Sequence, residues 1–312
     1  MKQGTILHQK LEEEVHQTVH MDVTTREDSW ALRIWNIIQG LRSLQQTGIT
    51  RELEVWGFID GQVINGVIDE LSHTCPDREL ELQTQSDARQ TQVLHSKPIP
   101  RTIIDDFLRA PVDSSVTKKK SHNFGVLATR SRKVYITDVK TRASKTLPKS
   151  SGFRPTLMQL MLYHRLFSDL VSNKVDAEQL FRRYDLDTSA SFTDSVIAQL
   201  SQLDDGLYFS PPPKSTQSKS ALYPGLEALE ALTSHNSLIQ LWSLLMRTCQ
   251  QVFPDGADSI SQILHAEYRN PIDGTIQGSK TFIYNDDILG QYLGDKFSWW
   301  KGERKAVGVP ED

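Results

Sequence analysis

The sequence predicts an α/β fold, and three observations lead there. Apolar residues recur at helical spacing twice near the start. The period then drops to two on either side of an Asp60-Gly61 pair. Further on, the β-branched and aromatic segment KVYITDVKT is followed by the apolar helical stretch TLMQLMLYHRLFSDL.

In order, Leu7, Leu11, Val15 and Val19 form one amphipathic stripe and Trp30, Ile34, Ile38 and Leu41 a second, so the chain opens with two helices. Leu53, Val55 and the segment VINGVIDEL read as a hairpin turning at Asp60-Gly61. Residues 77–100 and 111–123 are polar, lack periodicity and are expected as exposed insertions. KVYITDVKT is a strand, and a Lys/Ser/Gly loop separates it from the apolar helix. Helices are expected again near 176–184, 192–203 and 235–253, with a Pro/Ser-rich linker near 209–222. Strands near 262–269 and 279–284 and a helix through LGQYLGDKFSWW complete the chain. This divides it into a catalytic part (1–170), a helical insertion (171–256) and a C-terminal part (257–312).

With 312 residues, 38% hydrophobic and 24% charged, the chain can bury a full core. It has no run of about 18 apolar residues and no apolar leader, so neither a membrane span nor a secretory signal is expected, and an intracellular location follows. Cys75 and Cys249 lack CxxC spacing, against a disulfide framework or a cysteine-built metal site. The net charge of -4 is not that of a basic nucleic-acid binder. From Arg130 to Arg154, however, eight basic residues face the single acid Asp138, a local +7 that would draw a phosphate backbone or form a solvated basic loop.

Four short motifs carry chemistry. In VYITDVKT, Asp138 and Lys140 project from one strand face about 7 Å apart along the strand. The carboxylate can ligate a hard cation and the ammonium orient a water, although such a pair by itself reads as a surface ion pair. Asp69 ends an apolar run in GVIDEL, where a buried carboxylate needs a partner or a metal. Gly4, His8 and Glu12 are spaced four apart on the first helix, and His8 would complete a metal shell. Gln159 and Tyr163 share a face of the helix after the D-x-K strand and can bond a phosphate or brace that strand.

Taken in this order and spacing, the four motifs resemble the signature of the RecB-like branch of the PD-(D/E)xK nucleases. The longer strings MKQGTILHQKLEEEVH, RELEVWGFIDGQVINGVIDEL, ITDVKTR, QLMLYHRLF and FSWWKGERKAVGV look like exonuclease V of fungi. The resemblance implies a PD-(D/E)xK core, a small mixed sheet flanked by helices with helical insertions. It also implies that His8, Asp69, Asp138 and the backbone carbonyl of Val139 hold one or two divalent cations, Mg²⁺ or in its place Mn²⁺. Lys140 would orient the attacking water, and Gln159 and Tyr163 would support the site. Arg142, Lys145 and Arg154 would guide the DNA. The implied activity is that of a metal-dependent 5′ to 3′ single-strand DNA exonuclease in DNA repair, in the nucleus or mitochondrion, by a monomer that can work beside a single-strand-binding protein.

The family also carries four cysteines that clamp a [4Fe–4S] cluster, one before the first helix and three near the C-terminus. None stands at a matching position here, so the chain is read as a shortened member lacking both ends of the clamp. Two rival readings remain, a RecB-like endonuclease and a DNA-binding module with an inactive site. FSWWKGERK reads as core aromatics or as a stacking platform for single-stranded DNA.

Overall fold

A computed structural model of the chain describes Leu11 and residues 23–95, 132–144, 146–203 and 226–306. The described elements are α1 (Arg26–Thr47), β1 (Ile49–Ile59), β2 (Gln62–Ser72), α2 (Arg78–His95), β3 (Val134–Thr141), α3 (Ser150–Val171), α4 (Ala177–Arg183), α5 (Asp194–Leu203), α6 (Leu226–Ser234), α7 (Leu238–Val252), β4 (Ile260–Arg269), β5 (Ile276–Ile283) and α8 (Asp286–Trp300). The chain divides into two compact units: residues 77–131, carrying α2, form one, and the remainder forms the other.

In the larger unit α1 starts where the Thr25 hydroxyl accepts the Asp28 N–H at 3.0 Å, and it stops at Gly48, whose φ of 86° suits a residue without a Cβ. Trp30, Ile34, Ile38 and Leu41 are all buried, as their spacing predicts. Asp28 is buried as well, and its carboxylate accepts the backbone N–H and the hydroxyl of Thr193, each at 3.1 Å. That ties the start of α1 to the start of α5.

The strands form one mixed sheet in the order β1-β2-β3-β4-β5, flanked by helices. Neighbours are antiparallel except β3 and β4, which run parallel. Asp60 and Gly61 both have positive φ, 51° and 73°, the geometry a two-residue hairpin requires, and Ile59 pairs with Gln62 across it. On α1, Trp30 packs on Trp56 of β1 with ring centroids 5.3 Å apart, and Trp56 in turn meets Trp242 of α7. From α3, Leu166 lies against Gly57, whose missing side chain leaves room for it. Among the described residues, no helix is long and apolar enough to cross a membrane.

Three local readings of the sequence are corrected. Residues 78–95 are helical, because Glu, Gln, Leu and Arg are good helix formers and Asp77 caps the helix by accepting the Leu80 N–H at 3.0 Å. The Lys/Ser/Gly stretch ahead of TLMQLM is partly helix: α3 begins at Ser150, and Phe153 is fixed by an edge-on contact with Phe282 and by Lys280 4.5 Å from its ring centre. A helix at Leu226–Ser234 escapes the sequence reading, since two buried positions, Ala228 and Leu232, make too short a stripe to register. The Pro/Ser-rich linker, residues 111–123 and the first amphipathic stripe other than Leu11 lie outside the described residues.

His164 of α3 is stacked on Tyr284 with ring centroids 4.1 Å apart. Burial holds its pKa down to about 4, against the opposing pull of the Asp286 carboxylate. The unfolded chain therefore binds a proton at this residue that the folded chain refuses, between about pH 6.5 and 4. This contribution is complete above pH 6.5, falls as the pH drops, and levels off below 4. Replacing His164 with Phe is expected to flatten the decline in urea-unfolding stability between pH 7 and pH 4.5 by roughly 2–3 kcal/mol. An unchanged slope would show that the imidazole is not held neutral.

Candidate active site

Every residue of β3 from Val134 to Val139 is buried, so Asp138, 1% exposed, carries a carboxylate into the interior. Such a charge needs compensation. Lys140, two residues on and thus on the same strand face, donates from Nζ to Asp138 Oδ1 at 2.8 Å. Burial by itself would lower the Lys140 pKa, but the Asp138 charge and hydrogen bond, with help from Asp69, outweigh it and raise it above the usual value. The ammonium is accordingly charged at neutral pH.

Asp69 enters from β2. Pairing between β2 and β3 runs from Ser72↔Tyr135 to Glu70↔Thr137 and goes no further. Where the strands part, the Val139 N–H donates to Asp69 Oδ2 at 2.6 Å, so a side-chain carboxylate takes the place of a strand carbonyl. The neighbouring Glu70 points to the opposite face and pairs with Arg51 at 3.0 Å, and burial raises its pKa. Of the two adjacent acids, only Asp69 therefore serves the Asp138–Lys140 pair.

The helix α3 closes the cluster. Thr156, Gln159 and Tyr163 recur at three- and four-residue steps on one face. Gln159 donates from Nε2 to the Tyr163 hydroxyl at 2.8 Å. Burial raises the Tyr163 pKa, and the charges of Asp138 and Asp69 add to the effect. Its ring occupies the space over Gly66 of β2, where a Cβ would collide with it. One more residue belongs here that the sequence did not reveal. Tyr268 of β4 pairs with Lys140 across the parallel ladder, is 4% exposed, and has its pKa raised by burial and by Asp138. Only the β3–β4 register could have pointed to it, and that register joins segments more than a hundred residues apart.

Asp69, Asp138, Lys140, Gln159 and Tyr163 are thus brought together, as the sequence motifs led one to expect. His8 and Lys145 lie outside the described residues. Leu11, three positions after His8, is buried against Val139. The basic run is not one patch: Lys133 stands at the entrance of β3 and donates to the Asp258 carbonyl, whereas Arg142 follows its exit and donates from Nε to the Thr146 carbonyl at 2.6 Å. Arg154 is exposed on the first turns of α3. The reading of Trp299 and Trp300 as core is overturned, since they are 46% and 73% exposed. That part of α8 packs too little for aromatic bulk to be hidden.

Among the described residues, no group of three or more His, Cys, Asp or Glu side chains is gathered as a metal site. What the sheet does offer is two carboxylates, Asp69 and Asp138, and the backbone beside them, hard oxygen donors that fit a cation such as Mg²⁺. An iron–sulfur cluster does not fit. It needs four thiolates, and the sequence has two cysteines, of which Cys249 is core-buried on α7 with its thiol pushed up to about 12 by burial.

Comparison with known proteins adds an independent line. A family profile described as exonuclease V, a 5′ deoxyribonuclease, matches residues 1–312. The chain belongs to the exonuclease V family. An exonuclease V of Danio rerio is 28% identical over 168 residues, 51% of this chain and 41% of the relative, so the chain spans about two fifths of the length of that protein in the match. The contact between Gly66 and Tyr163 is open to test. Gly66→Ala is expected to displace the Tyr163 ring and, for the deoxyribonuclease activity proposed below, to lower turnover on the order of 10- to 100-fold. Gly57→Ala, which crowds Leu166 of the same helix, should destabilise the fold by a similar ~1–3 kcal/mol with a smaller loss of turnover. Equal losses in the two variants would mean that Tyr163 has no special part in the site.

Proposed function

We propose that this chain is a metal-dependent deoxyribonuclease that removes nucleotides from single-stranded DNA ends, with 5′ to 3′ polarity, and that its sheet is the core of a RecB-like PD-(D/E)xK nuclease. The observation that carries the reading is the Asp69 carboxylate bonded to the Val139 amide directly beside the buried Asp138–Lys140 pair. An ion pair serving only stability would have no reason to sink its carboxylate, Asp138, to 1% exposure where two strands separate. Membership in a family described as a 5′ deoxyribonuclease supports the substrate and the direction. The sheet order, with its single parallel pair following the D-x-K strand, supports the core assignment. A role in DNA repair in the nucleus or mitochondrion rests on the family resemblance alone.

In this reading Asp69, Asp138 and the Val139 carbonyl would hold a divalent cation, Mg²⁺ or Mn²⁺, and His8 would complete its ligands. Bound there, the cation supplies Lewis-acid stabilisation of the phosphate and a water made easier to deprotonate. Lys140, charged and tethered to Asp138, orients the attacking water and offsets negative charge as the phosphorus–oxygen bond forms. Tyr163, held by Gln159, braces the carboxylates and meets the DNA backbone. The leaving oxygen departs in line with the incoming water, and the products are a shortened strand and a nucleotide or short oligonucleotide.

The test is cleavage of end-labelled single-stranded DNA with Mg²⁺ or Mn²⁺. Lys140→Ala and Asp138→Asn are each expected to lower the rate by at least about 100-fold while DNA binding in EDTA persists. Cleavage of circular single strands as fast as linear ones would replace the exonuclease reading with an endonuclease. Binding without cleavage under every metal condition would leave a DNA-binding module.

A further inference from the structure

The last helix, α8, buries only Leu289 among its fifteen residues. Beside Leu289, on the same side of the helix, runs a stripe that the active site does not use. Ile288, Tyr292 and Lys296 follow one another at four-residue steps, and Trp299 and Trp300 lie three and four residues beyond Lys296, so the five gather on one side of the helix. Ile288 and Trp299 are each 46% exposed and Trp300 is 73% exposed, while Lys296 stands 5.3 Å from the centre of the Tyr292 ring. The two indoles meet edge to face at 6.5 Å, and each leaves a ring surface open. An exposed apolar stripe bordered by charged side chains is the mark of an interaction surface.

The helix is also anchored. Arg165 of α3 pairs with Asp286 at its first turn at 3.0 Å, and Lys301 just past its end pairs with Asp60 at the tip of the β1–β2 hairpin. Around the tryptophans, from Asp295 to Lys305, four cations face two acids, so the surface is net positive where the protein as a whole is negative. Lys296 and Arg304 both lean on the single carboxylate of Asp295, at 3.6 and 2.7 Å, in pairs exposed enough to be exchanged for phosphate.

We propose that this face of α8 is a second DNA-binding surface, on which bases of a single strand stack against Trp299, Trp300 and Tyr292 while Lys296, Arg304 and Lys305 meet its phosphates. The inference rests on the nuclease reading for the choice of DNA as partner. Charge complementarity favours a polyanion over a protein surface, and stacking on open aromatic faces favours an unpaired strand over a duplex. Its place in the fold sets its reach. Lys301 is fixed to Asp60, and Asp69 lies nine residues down β2, about 30 Å at the usual strand rise. That span corresponds to about nine nucleotides at the ~3.4 Å rise per nucleotide of a stacked strand, fewer if the strand is drawn out. A substrate must therefore exceed a threshold length before it can touch both places.

The experiment is fluorescence anisotropy of the full chain with labelled oligothymidylates of 4 to 30 nucleotides in EDTA, so that binding is read without cleavage. The wild-type affinity is expected to rise once the strand passes roughly nine nucleotides. Trp299→Ala and Trp300→Ala should each remove roughly five- to tenfold of that gain and leave the shortest strands unaffected. Trp300→Phe, which keeps a ring, should restore most of it. Lys296→Gln should reduce the salt dependence of binding to long strands only. The same length gain in the wild type and the tryptophan variants would overturn the proposal. So would a self-associated species in light scattering that Trp300→Ala dissociates while the length gain remains, because the face would then belong to a second copy of the chain. Loss of binding to short and long strands alike would place the tryptophans in the fold and also overturn it. If the chain binds as described but cleaves nothing with Mg²⁺, the nuclease reading fails and the platform stands.

Discussion

Much of this structure depends on one amide finding an unusual acceptor. Where β2 and β3 diverge, the Val139 N–H would be left in a buried strand without a carbonyl opposite it, and an unmet backbone donor costs about as much as a lost hydrogen bond. The Asp69 carboxylate fills that vacancy at 2.6 Å. Divergence lets an acid from one strand reach the backbone of the next, and it delivers that acid beside Asp138. Stability and chemistry are thereby coupled, since the group that satisfies the strand is also one that would hold a cation.

The surrounding polar groups show how charge is sorted between the two sides of the sheet. Asp69 and Glu70 are adjacent in sequence, yet the alternation of the strand sends one toward Lys140 and the other toward Arg51. On the first side, two carboxylates surround a single ammonium and leave a negative balance suited to a cation. On the other, Glu70 with Arg51 and Glu267 with Arg269 are matched one to one, at 3.0 and 2.6 Å. Uncompensated negative charge is thereby confined to the side of the sheet that carries Asp69 and Asp138.

How much of this was legible beforehand follows from the range of each interaction. Asp138 and Lys140 share a face by the period of a strand, and Gln159 and Tyr163 by the period of a helix, so both pairs can be read from a few residues of sequence. The Asp60-Gly61 turn is equally local, because positive φ at two consecutive positions has few solutions. Tyr268 and the space above Gly66 are different in kind. Each matters only because a remote element arrives opposite it, and nothing in the residues near Gly66 announces that a tyrosine from α3 will lie there. The basic run is divided for the converse reason: residues close in sequence were counted together, but an eight-residue strand carries Lys133 and Arg142 to its opposite ends. Trp299 and Trp300 misled because burial was inferred from residue type, whereas exposure is set by how little of α8 the rest of the fold touches.

The parallel pairing of β3 with β4 bears on how the molecule comes into being. Strand β3 is almost wholly buried, and its partner begins at Ile260, more than a hundred residues later. A chain emerging from the ribosome therefore makes the D-x-K strand long before the strand that will cover its edge. Contacts of such sequence separation form slowly, and an apolar strand with an open edge is prone to pair with the wrong neighbour in the interval. Assembly of the cluster around Asp138 is thus a late event in biosynthesis, and its yield in the cell will depend on whatever shields β3 until β4 has been made.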